Sequence, residues 1–193
     1  EIKNWKGYRS TQLHSLQGLA KEIGVQDIFY KDESTRFDLG SFKALGGAYG
    51  VLKFIQNQLT KDLNKNISIR DIRDGKYLDL TKNYTVVTAT DGNHGRSVAY
   101  GAKLSGCKCQ IYIHAEVSKG RQHAMEEFGA TVIRIRGNYD ESLRICIEEA
   151  IKNNWQIIRD LGSVPFLFII LLCLYKNKFF FIKPWKKKEI NFW

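Results

Sequence analysis

The sequence predicts an α/β protein built on a parallel sheet, with helices on both faces. The first reason is an alternation. From Thr85 to Arg159, short β-rich runs take turns with helical patterns, as βαβ units do when they build a parallel sheet. The second is a loop, Thr90-Asp91-Gly92-Asn93-His94-Gly95, set between one such strand and the helix after it. Open sheets of this kind bind ligands at the carboxyl ends of their strands. The third is balance. The 193 residues are 44% hydrophobic and 26% charged, enough apolar material to bury a core.

In chain order, Ser10 to Ile23 reads as an amphipathic helix. Leu13, Leu16, Leu19 and Ala20 recur at helical spacing, and Gly24 supplies a stop. Gln26 to Lys31 reads as a strand, and Asp32 to Gly40 as a polar loop. Ser41 then reads as an N-cap for a helix from Phe42 to Gln58, with Leu45, Tyr49, Leu52 and Ile55 on its apolar face. Gly46 and Gly47 are poor helix formers, so close packing against the first turns is expected. Thr60 to Tyr84 is highly charged and reads as a surface excursion with at most a short helix.

Regular patterning resumes with strand Thr85–Ala89 and a helix from about His94 to Leu104, stopped by Gly106. Strand Lys108–Ile113, helix Ser118–Phe128, strand Thr131–Arg136, helix Tyr139–Asn153 and strand Trp155–Arg159 follow. The resulting division is 1–60, 61–84, 85–160 and 161–193, with 85–160 a small open α/β domain. Val164 to Tyr175 is almost wholly apolar but shorter than a spanning helix needs. It reads as a buried core segment, as a membrane-contacting end flanked by Trp185 and Trp193, or as sequence that has departed from its ancestor after a truncation or frameshift. The last of these is preferred.

Net charge is +10, of which the segment from Lys176 to Trp193 carries half: six lysines against Glu189. The main part has no regular basic face with interleaved aromatics, so nucleic acid is not an expected partner. Cys107, Cys109, Cys146 and Cys173 have neither zinc nor C-x-x-C spacing, and His14, His94, His114 and His123 are scattered. No metal is expected, and the cysteines read as reduced residues of a cytoplasmic protein. No secretory signal is expected from a start at Glu1 that lacks a basic and apolar leader. A membrane partner is not expected.

Two stretches carry the chemistry. In Gly40-Ser41-Phe42-Lys43-Ala44-Leu45-Gly46-Gly47 a lysine is expected in the first turn of a helix. The partial positive charge there favours its neutral, nucleophilic form, and the free N–H groups suit an anion. A solvated surface lysine is the plain alternative, and the small residues on both sides argue against it. In the second stretch, Asn93 can donate to an oxygen and the helix start can hold a carboxylate. Asp91 is either a solvated N-cap or a catalytic base.

The combination KDES..F..GSFKALGG, TATDGNHG and GATVIRI resembles fold-type II pyridoxal-phosphate enzymes, the tryptophan synthase β-like superfamily. Within it the chain is most similar to the diaminopropionate ammonia-lyases. Serine and threonine dehydratases usually show Ser or Thr at the place of Asp91, and the lyases share Asn138-Tyr139-Asp140. The resemblance runs from about Tyr8 to Asp160 and implies the N-terminal half of the fold. Residues 1–60 would then belong to the larger domain.

The resemblance also implies pyridoxal 5′-phosphate as cofactor. Lys43 would be the Schiff-base lysine and would take the Cα proton of one substrate enantiomer, and Asp91 that of the other. Asn93 would bond the cofactor's 3′-oxygen, Phe42 would pack by its ring, and Thr90, Gly92, His94 and Gly95 would line the substrate carboxylate loop. The implied reaction is α,β-elimination of 2,3-diaminopropionate to pyruvate and ammonia, with homodimers for full-length members; the alternatives are a serine/threonine dehydratase-like enzyme and a truncated homologue without activity. The chain departs from the pattern at Thr11-Gln12-Leu13, usually Thr-Pro-Leu, and at Asp38, usually glycine. The glycine-rich phosphate loop and the residue facing the pyridine nitrogen do not appear. After Asp160 the only glycine is Gly162.

Overall fold

The computed structural model describes residues 1–159 and the strand 178–183. They fall into two compact units. One holds Glu1–Lys6 and residues 43–159, and the other holds Gly7–Phe42 and the strand 178–183. The divisions expected at 60 and 84 are not where these units part. The apolar run Val164–Tyr175 lies outside the described residues.

The unit that begins at Lys43 carries the parallel sheet. Its helices are α2 (Gly47–Leu63), α3 (Ile69–Arg73), α4 (Leu78–Thr81), α5 (Asn93–Ser105), α6 (Lys119–Glu126) and α7 (Tyr139–Asn153). Its strands are β3 (Thr85–Ala89), β4 (Lys108–Ile113), β5 (Thr131–Arg134) and β6 (Gln156–Ile157), in the order β5-β4-β3-β6. All three pairings are parallel, as the alternation predicts. Strand residues alternate faces. Val87, Ala89 and Tyr112 bury themselves with Cys146 and Ala150 of α7. On the other face Gly95 of α5 lies against Ile111 and Met125.

Two further helices cross closely through a seam of small residues. A Cβ on Gly47 would stand 2.6 Å from Ser97 Oγ, and one on Gly101 would stand 2.7 Å from Ala48 Cα. Glycine at these positions therefore fixes the approach of α2 to α5. The expectation of close packing holds for Gly47. Gly46 is exposed, with only Lys43 O near it at 3.9 Å.

Three sequence expectations are corrected here. Phe42–Leu45 is a 3₁₀ turn and α2 starts at Gly47 behind an N-cap at Gly46. Two adjacent glycines weaken helix at that point, so Lys43 lies before the helix rather than in its first turn, and Ser41 is not its N-cap. Residues 61–84 are not a surface excursion: α2 runs on to Leu63, α3 and α4 follow, and Ile67, Ile69, Ile72 and Thr81 are buried. The three isoleucines outweigh the charges around them because they reach the core. The last strand is shorter than expected, since β6 keeps only Gln156–Ile157.

The other unit supplies the remaining correction. The stretch from Ser10 to Ile23 divides into strand β1 (Leu13–Ser15) and helix α1 (Gln17–Ile23). Leu13 and Leu19 repeat at helical spacing, yet they are 58% and 42% exposed. Of the four pattern residues only Ala20 is buried, so the buried side of α1 is narrower than the pattern predicts. Gly24 does close α1 in a left-handed cap, φ 73°. β1 pairs antiparallel with β2 (Asp27–Asp32), and β2 pairs antiparallel with β7 (Lys178–Lys183). No helix among the described residues is long and apolar enough to cross a membrane.

Candidate active site

The site forms where the carboxyl ends of β3, β4 and β5 reach the rim of the sheet. Lys43, Thr90, Asp91, Gly92, Asn93, His94, Arg121 and Tyr139 line a cavity of about 260 Å³, near the lower end of small-ligand sites, roughly 300–1,000 Å³. All eight residues belong to the unit that holds the parallel sheet. The two stretches singled out in the sequence, some fifty residues apart, thus meet at one cavity. Lys43 is half-buried there.

Ser97 joins the two stretches. Its hydroxyl donates to Lys43 O at 2.7 Å and accepts from the N–H of Ala48 at 2.9 Å. One turn of α5 therefore holds the carbonyl of the lysine and the first turn of α2 together. Thr90 is nearly fully buried. Its Oγ1 accepts from the N–H groups of Gly92 and Gly95 at 3.1 and 3.2 Å, which occupies its lone pairs and shapes the entry to α5. Gly92 is the N-cap of α5 with φ 156°, a backbone position suited to glycine. That cap position falls to Gly92, so Asp91 is not the N-cap.

His94 is buried, and its Nε2 lies 2.9 Å from Ile158 O. A carbonyl only accepts, so that nitrogen carries the proton. Gly95 does not line the cavity. It lies inside the fold, where a Cβ would come within 2.6 Å of Met125 Sδ. Its place in the TDGNHG loop is explained by packing. Phe42 opens the 3₁₀ turn that carries Lys43 and is not among the lining residues.

Two lining residues were given no role from sequence. Arg121 lies in the first turn of α6, where Ser118 Oγ accepts from its N–H, and its Nη1 donates to Asp91 O at 3.3 Å. Tyr139 begins α7 behind Asn138, whose Oδ1 accepts from the N–H of Glu141 at 3.0 Å. The Asn-Tyr-Asp stretch thus caps a helix and sets a tyrosine at the rim. The signal that could have found both is positional, because each stands just after the carboxyl end of a parallel strand.

Asp91 projects at the mouth, 60% exposed, and its Oδ1 lies 3.1 Å from His114 Nε2. A pair this exposed contributes at most about 1 kcal/mol, so stability does not account for it. With Lys43, Arg121 and the start of α5 set against one carboxylate, the cavity favours an anionic ligand. A primary amine, a carboxamide and a helix N-terminus together fit the aldehyde and ring-oxygen end of pyridoxal phosphate.

The family model for pyridoxal-phosphate dependent enzymes matches residues 5–168. The chain belongs to this family. Diaminopropionate ammonia-lyase of Salmonella typhimurium is 35% identical over 158 residues, covering 82% of this chain and 39% of that protein. The holo diaminopropionate ammonia lyase of Escherichia coli superposes with a TM-score of 0.72 at 33% identity, over 83% of this chain and 40% of that one. The same enzyme in complex with D-serine superposes at 0.71, with 34% identity and the same coverage. This member of the pyridoxal-phosphate family therefore spans about two fifths of the length of the curated relatives it matches.

Proposed function

We propose that the chain carries the lysine-bearing portion of a pyridoxal-phosphate-dependent carbon–nitrogen lyase, one that eliminates ammonia from 2,3-diaminopropionate to leave pyruvate. The observation that carries this reading is the cavity itself, in which Lys43 and Asp91 share one small anion-favouring space. The 35% identity to a lyase of that name supports the substrate. Pyridoxal phosphate, when bound, supplies the electron sink for breaking the Cα–H bond.

The chain's own residues do the rest. Lys43 Nζ accepts the Cα proton of one enantiomer, and the Asp91 carboxylate accepts that of the other. Asn93 bonds the cofactor's ring oxygen. The start of α5 and Arg121 hold the substrate carboxylate, and Tyr139 limits the mouth. Thr90 and Gly95 shape the turn from within. Phe42 stands beside the lysine in sequence to pack by the cofactor ring. We assign 85–160, within the unit that holds the parallel sheet, to the smaller domain of the full-length fold, with homodimers as the assembly. We propose a cytoplasmic setting.

The test is release of ammonia and pyruvate from D- and L-2,3-diaminopropionate by the chain supplied with pyridoxal phosphate. Asp91→Asn should abolish turnover of one isomer and spare the other, and equal loss of both would overturn the two-base assignment. A second reading is a serine dehydratase-like elimination of water, favoured by the D-serine bound to the E. coli relative. Turnover of serine with neither diaminopropionate isomer would select it.

A further inference from the structure

The loop after β4 carries a histidine that neither the proposed chemistry nor the packing of the core uses. We infer that His114 is the positioning residue of Asp91, holding its carboxylate at the cavity by donation from Nε2. The inference rests on reading Asp91 as a base. The N–H of Glu116 donates to His114 Nδ1 at 3.2 Å, so that nitrogen offers a lone pair. The proton of the neutral ring is then on Nε2, 3.1 Å from Asp91 Oδ1. His114 is 18% exposed against 60% for Asp91, so the fixed member of the pair is the histidine.

The histidine loop is itself fastened. Nη1 of Arg134, the last residue of β5, donates to the carbonyls of His114, Ala115 and Val117 at 3.3, 2.7 and 2.7 Å. Its Nη2 donates to Gln122 Oε1 at 2.8 Å. Asp91 is therefore held at its carbonyl by Arg121 and at one carboxylate oxygen by His114. An exposed aspartate without such contacts samples several rotamers, and proton abstraction needs the base already in place. In the reaction the Cα proton moves to the Asp91 carboxylate, which becomes a carboxylic acid, and the Cα–H electron pair stays with the substrate. His114 keeps its own proton throughout.

Two arms test this in the full chain. In cofactor-free protein with isotope-labelled histidine, long-range proton–nitrogen NMR should show His114 protonated on Nε2, with ring signals that shift on Asp91→Ala. A proton on Nδ1, or a ring indifferent to Asp91→Ala, overturns the inference. With pyridoxal phosphate present, His114→Phe should lower kcat about tenfold or more for the diaminopropionate isomer that requires Asp91, with KM little changed. The other isomer should be spared. His114→Gln keeps a donor near the Nε2 position and should restore most of the loss. Equal loss on both isomers would show a merely structural histidine and overturn the inference. A chain that turns over neither isomer while its His114 ring still answers to Asp91→Ala overturns the proposed function and upholds the pairing.

Discussion

Ser97 shows how much of the site one hydroxyl controls. It bonds Lys43 O and the Ala48 N–H from a position almost fully shielded from solvent. Ser97→Ala removes an acceptor from a buried N–H and a donor from a carbonyl, which should cost about 1–3 kcal/mol. The drop should appear as a lower urea midpoint with an unchanged slope, and an unchanged midpoint would show that the tie does not hold the lysine turn. Lys43 and Asp91 were legible as a pair because both lie in recognisable stretches. Ser97 was not, since a serine in the second turn of a helix has no local signature. Its meaning comes from Gly47 and Lys43, which reach it from fifty residues away.

At the scale of elements, the KDES stretch has a structural explanation of its own. Glu33 and Arg36 form a buried pair, 4% and 6% exposed, with Arg36 Nε 2.7 Å from Glu33 Oε2. Thr11 Oγ1 donates to the same carboxylate at 2.5 Å, and Arg36 Nη1 donates to Arg9 O at 2.8 Å. The guanidinium also lies over the Tyr8 ring, 5.3 Å from its centroid. Burial pushes the Glu33 carboxyl up, but hydrogen bonds from Arg36 and Thr11 and the nearby positive charge hold it below its ordinary 4.5. A lowered carboxyl stabilises the fold above its unfolded value, and that stability is lost as pH falls through the folded one. Thermal stability should therefore drop below about pH 4.5. Glu33→Gln should remove that part of the acid dependence while leaving Arg36 buried without a carboxylate, costing about 3–5 kcal/mol. A variant as stable as the parent would show the network to be dispensable. The alternating strands and helices after Thr85 were legible because parallel βαβ units leave periodic patterns. The antiparallel strand β1 was not, because Leu13 and Leu16 fit a helix equally well and only pairing with β2 decides between them.

At the scale of the whole molecule, the parallel sheet could be read from sequence because its strands and helices alternate along the chain, and the lysine-bearing wall because Lys43 sits in a recognisable local run. Arg121, Tyr139 and His114 could not be given roles, since His114 and Arg121 follow β4 while Tyr139 follows β5, and they acquire meaning only where these connections meet the loop after β3. The central claim is that Lys43 is the residue on which pyridoxal phosphate acts. The most direct measurement incubates the full chain with pyridoxal phosphate, fixes the adduct with borohydride and maps the added mass by peptide mass spectrometry. The account predicts a visible absorption band before reduction, the added mass on Lys43 after it, and loss of both in Lys43→Ala. A mass carried by another lysine, or a band that survives Lys43→Ala, would contradict it.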